Sequence, residues 1–194
     1  MSPTGRAVVM GSAQKPEEFD RERLEHDGVA LVARRSGGGA VYIDPASTVW
    51  VDVLAPRSSP LWHDDLTATF LGVGRAWQRA LTTCGIVTEL CVEPTARTEA
   101  VRHACWAGLG WGELSSGGSK VVGLSQRRTR WGARVQAMAV LDGSAVRVAD
   151  YLLEPAAAVV RAELVPSRPS LFAETAANST LVDRLTAEVV AELS

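Results

Sequence analysis

The chain lacks several things, and each shortage removes a class of protein. No apolar run in its 194 residues approaches the ~20 residues that cross a bilayer. The opening MSPTGRAVVMGSAQ is too brief in its apolar part for a secretory leader. The expectation is a cytoplasmic protein with no membrane partner. Cysteine is scarce: three residues at unrelated spacings, an odd number that argues against a disulfide framework and for a reducing interior. No Cys/His cluster has the spacing of zinc ligands, so no metal site is expected. An excess of one charge is missing too, with 20 basic against 22 acidic residues and a net charge of −2, which gives no signature for nucleic acid. Internal repeats and low-complexity tracts are absent.

What is present is ordinary for a globular protein, 46% hydrophobic and 22% charged residues, in a length that accommodates one domain with a substantial core. AVVMGS, GVALVARRS and AVYIDP read as three strands, with a short charged helix in AQKPEEFDRERLEHDG between the first two. TVWVDVLAP alternates Val49, Val51 and Val53 against Trp50, Asp52 and Leu54, a pattern that predicts a strand covered on both faces. The clearest helix is DDLTATFLGVGRAWQRALTTCG, where Leu66, Phe70, Val73, Trp77, Leu81 and Cys84 form one stripe. Asp64 or Asp65 is its cap, and Gly85 its terminator. IVTELCVEP predicts a further strand, and KVVGLSQRR with ARVQAMAVLD a hairpin. Helical segments follow at VADYLL and PAAAVVRAEL, then a loop at VPSRPS. A last helix carries Leu181, Leu185, Val189 and Leu193 behind a cap at Asn178 or Ser179. The irregular alternation with hairpins predicts an α+β fold: a mixed, mostly antiparallel sheet flanked by helices.

Two stretches carry chemistry. RRSGGGAVY, residues 34 to 42, sets bare backbone amides beside fixed cations, as an anion or adenylate requires; a bulged turn with solvated arginines satisfies the same letters. CWAGLGWGELSSGGSKVVGLSQRR places Lys120 after a Gly-Gly-Ser turn, where its ammonium can meet charge developing in acyl transfer. Cys105 in the same stretch is a candidate nucleophile if a cation such as Lys120 or His103 attends it, whereas Cys84 and Cys91 fall on core patterns. Arg127, Arg128 and Arg130 form a small basic patch that reads as a solvated face. The six tryptophans read as core and pocket wall.

Taken together, RRSGGGAVY and KVVGLSQR resemble the paired motifs of the biotin/lipoate protein ligase family, in its lipoate–protein ligase and octanoyltransferase branch. VVMGSAQ, residues 8 to 14, resembles that family's Leu-Gly-x-x-Gln strand, and the likeness runs over roughly residues 7 to 142. It implies a class II synthetase/biotin ligase-like catalytic domain spanning 1–194, without the accessory domain of some ligases and with a shortened N-terminal segment. It further implies an acyl pocket lined by Arg34, Ser36, Gly37, Gly38, Gly39, Ala40, Tyr42, Gly123 and Gln126, with Lys120 at the activated carboxyl.

The favoured activity is that of a ligase. It joins lipoate or octanoate to a lysine of a lipoyl carrier domain through an acyl-adenylate, with ATP and Mg2+. The carrier is of the glycine cleavage H protein or 2-oxoacid dehydrogenase E2 type. The alternative is an octanoyltransferase that needs no cofactor and takes its acyl group from acyl carrier protein onto Cys105. That cysteine stands in ACW, fifteen residues before Lys120, with GEL between them as in that sub-branch. A third reading is an inactive carrier-binding relative. Departures from the family pattern are Ile43-Asp44 in place of His-Asp, and ASTVWVDV in place of an Asn-rich strand.

Overall fold

The computed structural model describes residues 3–95, 98–167 and 179–193. Its first layer is a three-stranded sheet in the order β2-β1-β3, built from β1 (Ala7–Met10), β2 (Ala30–Ala33) and β3 (Val41–Ile43). β1 and β2 run parallel because α1 (Arg21–His26) crosses between them, as any parallel pair requires. Asp20 caps α1 by accepting from the Arg23 amide, and a 3-10 turn at Pro16–Glu18 precedes it. The predicted charged helix is thus two short elements.

The second layer is an antiparallel five-stranded sheet in the order β4-β8-β7-β6-β5. It is formed by β4 (Thr48–Pro56), β5 (Glu89–Leu90), β6 (Leu114–Ser116), β7 (Ser119–Thr129) and β8 (Gly132–Val140). The β7–β8 hairpin is the one expected from the alternating sequence. α2 (Leu66–Thr83) also follows its stripe, with Asp65 accepting from the Thr67 amide and Gly85 in the left-handed region at φ 79°. Val73, Trp77 and Leu81 of this helix pack on Val49, Val51, Val53, Val122, Leu124 and Ala137, and Val189 of α5 (Ser179–Leu193) joins them. Of the predicted stripe on α5, the side chains of Leu181 and Leu185 lie outside what the structure describes, as do the proposed cap Asn178 and the side chain of Ser179, the other.

The opposite core joins the small sheet to a 3-10 helix at Gly143–Tyr151 and to α4 (Ala156–Ser167). α4 continues through Val165–Ser167, so the predicted loop VPSRPS begins in helix; residues 168–170 lie outside the described part.

Two strand readings are corrected. Only Glu89–Leu90 of IVTELCVEP pair, because β6, their only partner among the described residues, is itself three residues long. β4 is covered on one face alone: Val49, Val51 and Val53 are buried, while Leu54 is 70% exposed and Asp52 holds Arg134 at 2.6 Å. The face that was expected to be covered looks into an open groove.

Candidate active site

The cysteine and lysine of the second stretch meet over the five-stranded sheet. A short helix α3 (Ala100–His103) ends at Ala104, which is extended, and a 3-10 turn at Cys105–Ala107 follows. The extended stretch lies beside the glycine run: the Ala40 amide donates to the His103 carbonyl (2.8 Å) and the Cys105 amide to the Ala40 carbonyl (3.0 Å). That pairing and the bend before it account for two of the three glycines. A Cβ on Gly39 would stand 2.6 Å from the Ala104 nitrogen, and Gly38 adopts φ 97°, a conformation that side chains disfavour. Gly37 alone faces open space.

Lys120 reaches the same point from β7. Two residues of β7 advance against one of β6 between Ser115 and Leu114, a bulge of the kind that re-aims a side chain. It separates Lys120 from the core-facing Val122 and sets it on the face of Gly123, where an added Cβ would be 3.2 Å from Lys120 Cε. Gly123 therefore makes room for the lysine rather than for a ligand. Lys120 Nζ donates to Glu113 Oε2 (2.7 Å), to the Cys105 carbonyl (2.8 Å) and to the Gly108 carbonyl (3.0 Å), and lies 3.7 Å from Cys105 Sγ. It also sits 5.6 Å from the centre of the Trp106 ring. Burial works to lower the pKa of this lysine. The Cys105 sulfur and the Glu113 carboxylate outweigh burial and hold it above the ordinary value, so the side chain stays an ammonium.

Glu113 was not among the predicted site residues, although GEL pointed to it. Its Oε2 also accepts from the Gly110 amide and its Oε1 from the Leu124 amide, so every carboxylate oxygen is engaged. Gln14 was missed as well. It accepts from the Gly11 amide and donates to the His103 carbonyl (3.1 Å), tying the end of β1 to the cysteine segment.

Gly37, Gly38, Gly39, Cys105, Lys120 and Gln126 border one cavity of about 1100 Å3, together with Gln14, His103 and Glu113. The slot expected between the glycine run and the lysine is open. Gln126 buries both amide atoms there without a partner.

Arg34 and Ser36 instead border a second groove of about 840 Å3, with Ile43, Trp50, Leu54 and Trp131. The guanidinium of Arg34 clips the glycine loop by donating to the carbonyls of Val9 (3.2 Å), Gly37 (3.0 Å) and Gly39 (2.7 Å). Burial lowers its pKa, and the nearby Cys105 sulfur acts in the opposite sense. Ser36 donates to Gln136 Oε1 (2.9 Å), which leaves the Ser125 hydroxyl to donate back to Ser36 (2.9 Å). Ser125 borders the cavity and Ser36 the groove, so this contact stands between them. Ala40 and Tyr42 are fully buried in the small-sheet core, Tyr42 stacked on Tyr151, and neither borders the cavity or the groove.

Among the described residues no three His, Cys, Asp or Glu converge on a metal position, and no helix is long and apolar enough to cross a membrane. Trp77 and Trp106 are buried as expected, while Trp131 is 73% exposed.

A cysteine sulfur 3.7 Å from a buried ammonium, in a cavity that the glycine run also borders, is an arrangement suited to nucleophilic chemistry at sulfur. The family model described as the lipoyl protein ligase A/B catalytic domain matches residues 3–174. The chain belongs to that family of enzymes. It is 31% identical over 123 residues to octanoyltransferase LipM of Moorella thermoacetica, covering 62% of this chain and 44% of the relative. Against octanoyltransferase LipM of Macrococcus caseolyticus it is 28% identical over 131 residues, covering 64% and 47%. The chain thus spans about half the length of the curated relatives it matches. Among solved structures, the bipartite lipoate protein ligase of Thermoplasma acidophilum, described with its E2 lipoyl domain, superposes with TM-score 0.67 at 20% identity. That match covers 98% of this chain and 67% of that one. A lipoate-protein ligase A bound with ATP superposes with TM-score 0.62 at 20% identity, covering 98% and 68%. At such identities these two likenesses speak for the fold.

Proposed function

We propose that the protein moves an octanoyl group from a thioester donor to a lysine of a lipoyl carrier domain, with Cys105 carrying the group between them. The observation that supports this most is the placement of Cys105 Sγ 3.7 Å from the Lys120 ammonium, at the wall of the large cavity. Sulfur attacks the donor carbonyl, the donor C–S bond breaks, and the donor leaves as a thiol carrying the proton Cys105 gave up. The carrier amine then attacks the new thioester; a C–N bond forms, and the C–S bond to Cys105 breaks. Lys120 holds an ammonium beside the sulfur through both steps, where negative charge appears. Both octanoyltransferases similar to this chain support the same reading.

The ligase reading rests on RRSGGGAVY, which resembles the ligase form of the pocket. ATP fits the cavity poorly. Its described charged lining is Arg102 and Lys120 against Glu18, Glu99 and Glu113, and Lys120 is already bonded to Glu113. That lining leaves little to hold a triphosphate.

Intact-protein mass spectrometry after incubation with octanoyl-acyl carrier protein separates the two. The transferase reading expects one octanoyl mass on the parent protein and none on Cys105→Ser. An unchanged parent mass, together with octanoate-dependent exchange of pyrophosphate into ATP, would instead establish the ligase.

A further inference from the structure

The second half of this reaction needs a group to receive a proton from the incoming amine, and most groups in the cavity are committed. Lys120 is held as an ammonium with its donors spent on Glu113, Cys105 and Gly108. Glu113 accepts from Lys120 and from two backbone amides. Glu99 is exposed to solvent.

His103 remains. It stands two residues before Cys105, with the extended Ala104 between the end of α3 and the 3-10 turn, and both border the cavity. Its side chain is 24% exposed, and its Nδ1 is buried without a hydrogen-bond partner, 4.0 Å from Glu18 Oε2. The other oxygen of Glu18 accepts from the Lys15 amide at 2.7 Å, which fixes the carboxylate in place. With Nδ1 turned to Glu18, Nε2 is the ring nitrogen left to take a proton from the cavity. The charged groups that border the same cavity are Glu18 from the 3-10 turn, Glu99 and Arg102 from the α3 segment, and Lys120 with Glu113 from the sheet.

We infer that His103, backed by Glu18, is the general base of the amide-forming step. This rests on the thioester reading above. As the carrier amine attacks the Cys105 thioester, the C–N bond forms and one N–H proton passes to His103 Nε2. The C–S bond then breaks, its electron pair returns to sulfur, and the proton follows from His103 to leave Cys105 as a thiol. The resulting imidazolium faces Glu18 across the gap at Nδ1, which stabilises it.

The test charges the parent and His103→Gln proteins with octanoyl-acyl carrier protein, isolates the acyl-enzymes, and follows transfer to an apo lipoyl carrier domain by mass. Circular dichroism shows that the variant folds, acylation of Cys105 is scored separately, and transfer from the isolated acyl-enzyme at pH 7 should fall about 100-fold. Hydroxylamine carries an amine that is already neutral at pH 7 and needs no base, so it should discharge both acyl-enzymes at similar rates. The variant's transfer should climb about tenfold per pH unit as the carrier lysine deprotonates unaided. Glu18→Gln, on a different element, should show a smaller loss in the same sense with the same hydroxylamine result. It reads the step even if His103→Gln does not fold. Transfer by His103→Gln within about threefold of the parent, or an equal loss with hydroxylamine, overturns the inference. A parent protein that never acquires the octanoyl mass overturns the thioester reading, and this step with it.

Discussion

Replacing Lys120 by Met keeps the length of the side chain and removes its charge. In the parent, the ammonium is 4% exposed and bonded to one carboxylate oxygen and two backbone carbonyls at 2.7–3.0 Å. The variant leaves Glu113, also buried, with only the Gly110 and Leu124 amides to offset its charge, and it strands the carbonyls of Cys105 and Gly108. Breaking one partner of a buried pair costs about 3–5 kcal/mol, since the survivor keeps its desolvation penalty. With a urea slope of about 2 kcal/mol/M, the midpoint should fall by roughly 1.5–2.5 M. Adding Glu113→Gln removes the stranded charge, so the double variant should recover about 1–3 kcal/mol relative to Lys120→Met. Urea unfolding followed by circular dichroism at pH 7 measures all four corners of the cycle. A single variant within 0.5 kcal/mol of the parent, or a double variant less stable than the single, would falsify the claim that these groups neutralise one another in the core.

Two further outcomes follow from the same neighbourhood. Gly39→Ala forces a Cβ to within 2.6 Å of the Ala104 backbone, where nothing flexible can yield. It should cost about 1–3 kcal/mol and slow Cys105 acylation, while Gly37→Ala, with nothing within 4 Å, should match the parent in thermal melts. The pH dependence has a definite sign. The folded pKa of Lys120 is raised above its ordinary 10.5, so its contribution is complete below that value and is lost as pH rises through the folded pKa. The parent's urea midpoint should therefore decline in the alkaline range above about pH 10.5 more steeply than that of Lys120→Met.

The sequence was most legible where one residue's environment is set by its own element. The stripe on α2 and the alternation of β7 and β8 each declare a buried face, and the structure keeps both. Apolar alternation declares burial but not pairing, which is why IVTELCVEP shrank to two paired residues once β6 proved short. It also misread the second face of β4, where Trp50 and Leu54 are apolar but border a groove. Lys120 and Cys105 were named from their motifs, and the structure sets them 3.7 Å apart. Arg34 was expected to touch a ligand, yet its donors go to three backbone carbonyls. Those acceptors exist only once the glycine loop has turned, and no letter in RRSGGGAVY records that. Glu113 was visible only as part of GEL, because its partner Lys120 meets it through a bulge rather than through regular pairing.

The charge balance around Cys105 gives the Arg34 clip a second consequence. Among the described residues, Arg34 has no carboxylate within ion-pair distance, whereas Lys120 has Glu113. A Cβ placed on Gly38 would lie 3.0 Å from Arg34 Nη2 and 3.9 Å from Cys105 Sγ, so the guanidinium and the sulfur flank the same glycine. Two buried cations and one buried carboxylate leave one positive charge uncompensated next to the sulfur. In the proposed acyl transfer a single negative charge arises there, first on sulfur and then on the carbonyl oxygen it attacks. Groups locked by backbone hydrogen bonds need not reorganise when that charge arrives. On the proposed mechanism the triglycine acts through the arginine it folds around: its bend creates the Gly37 and Gly39 carbonyls that hold Arg34, and Arg34 brings the unpaired charge towards the sulfur.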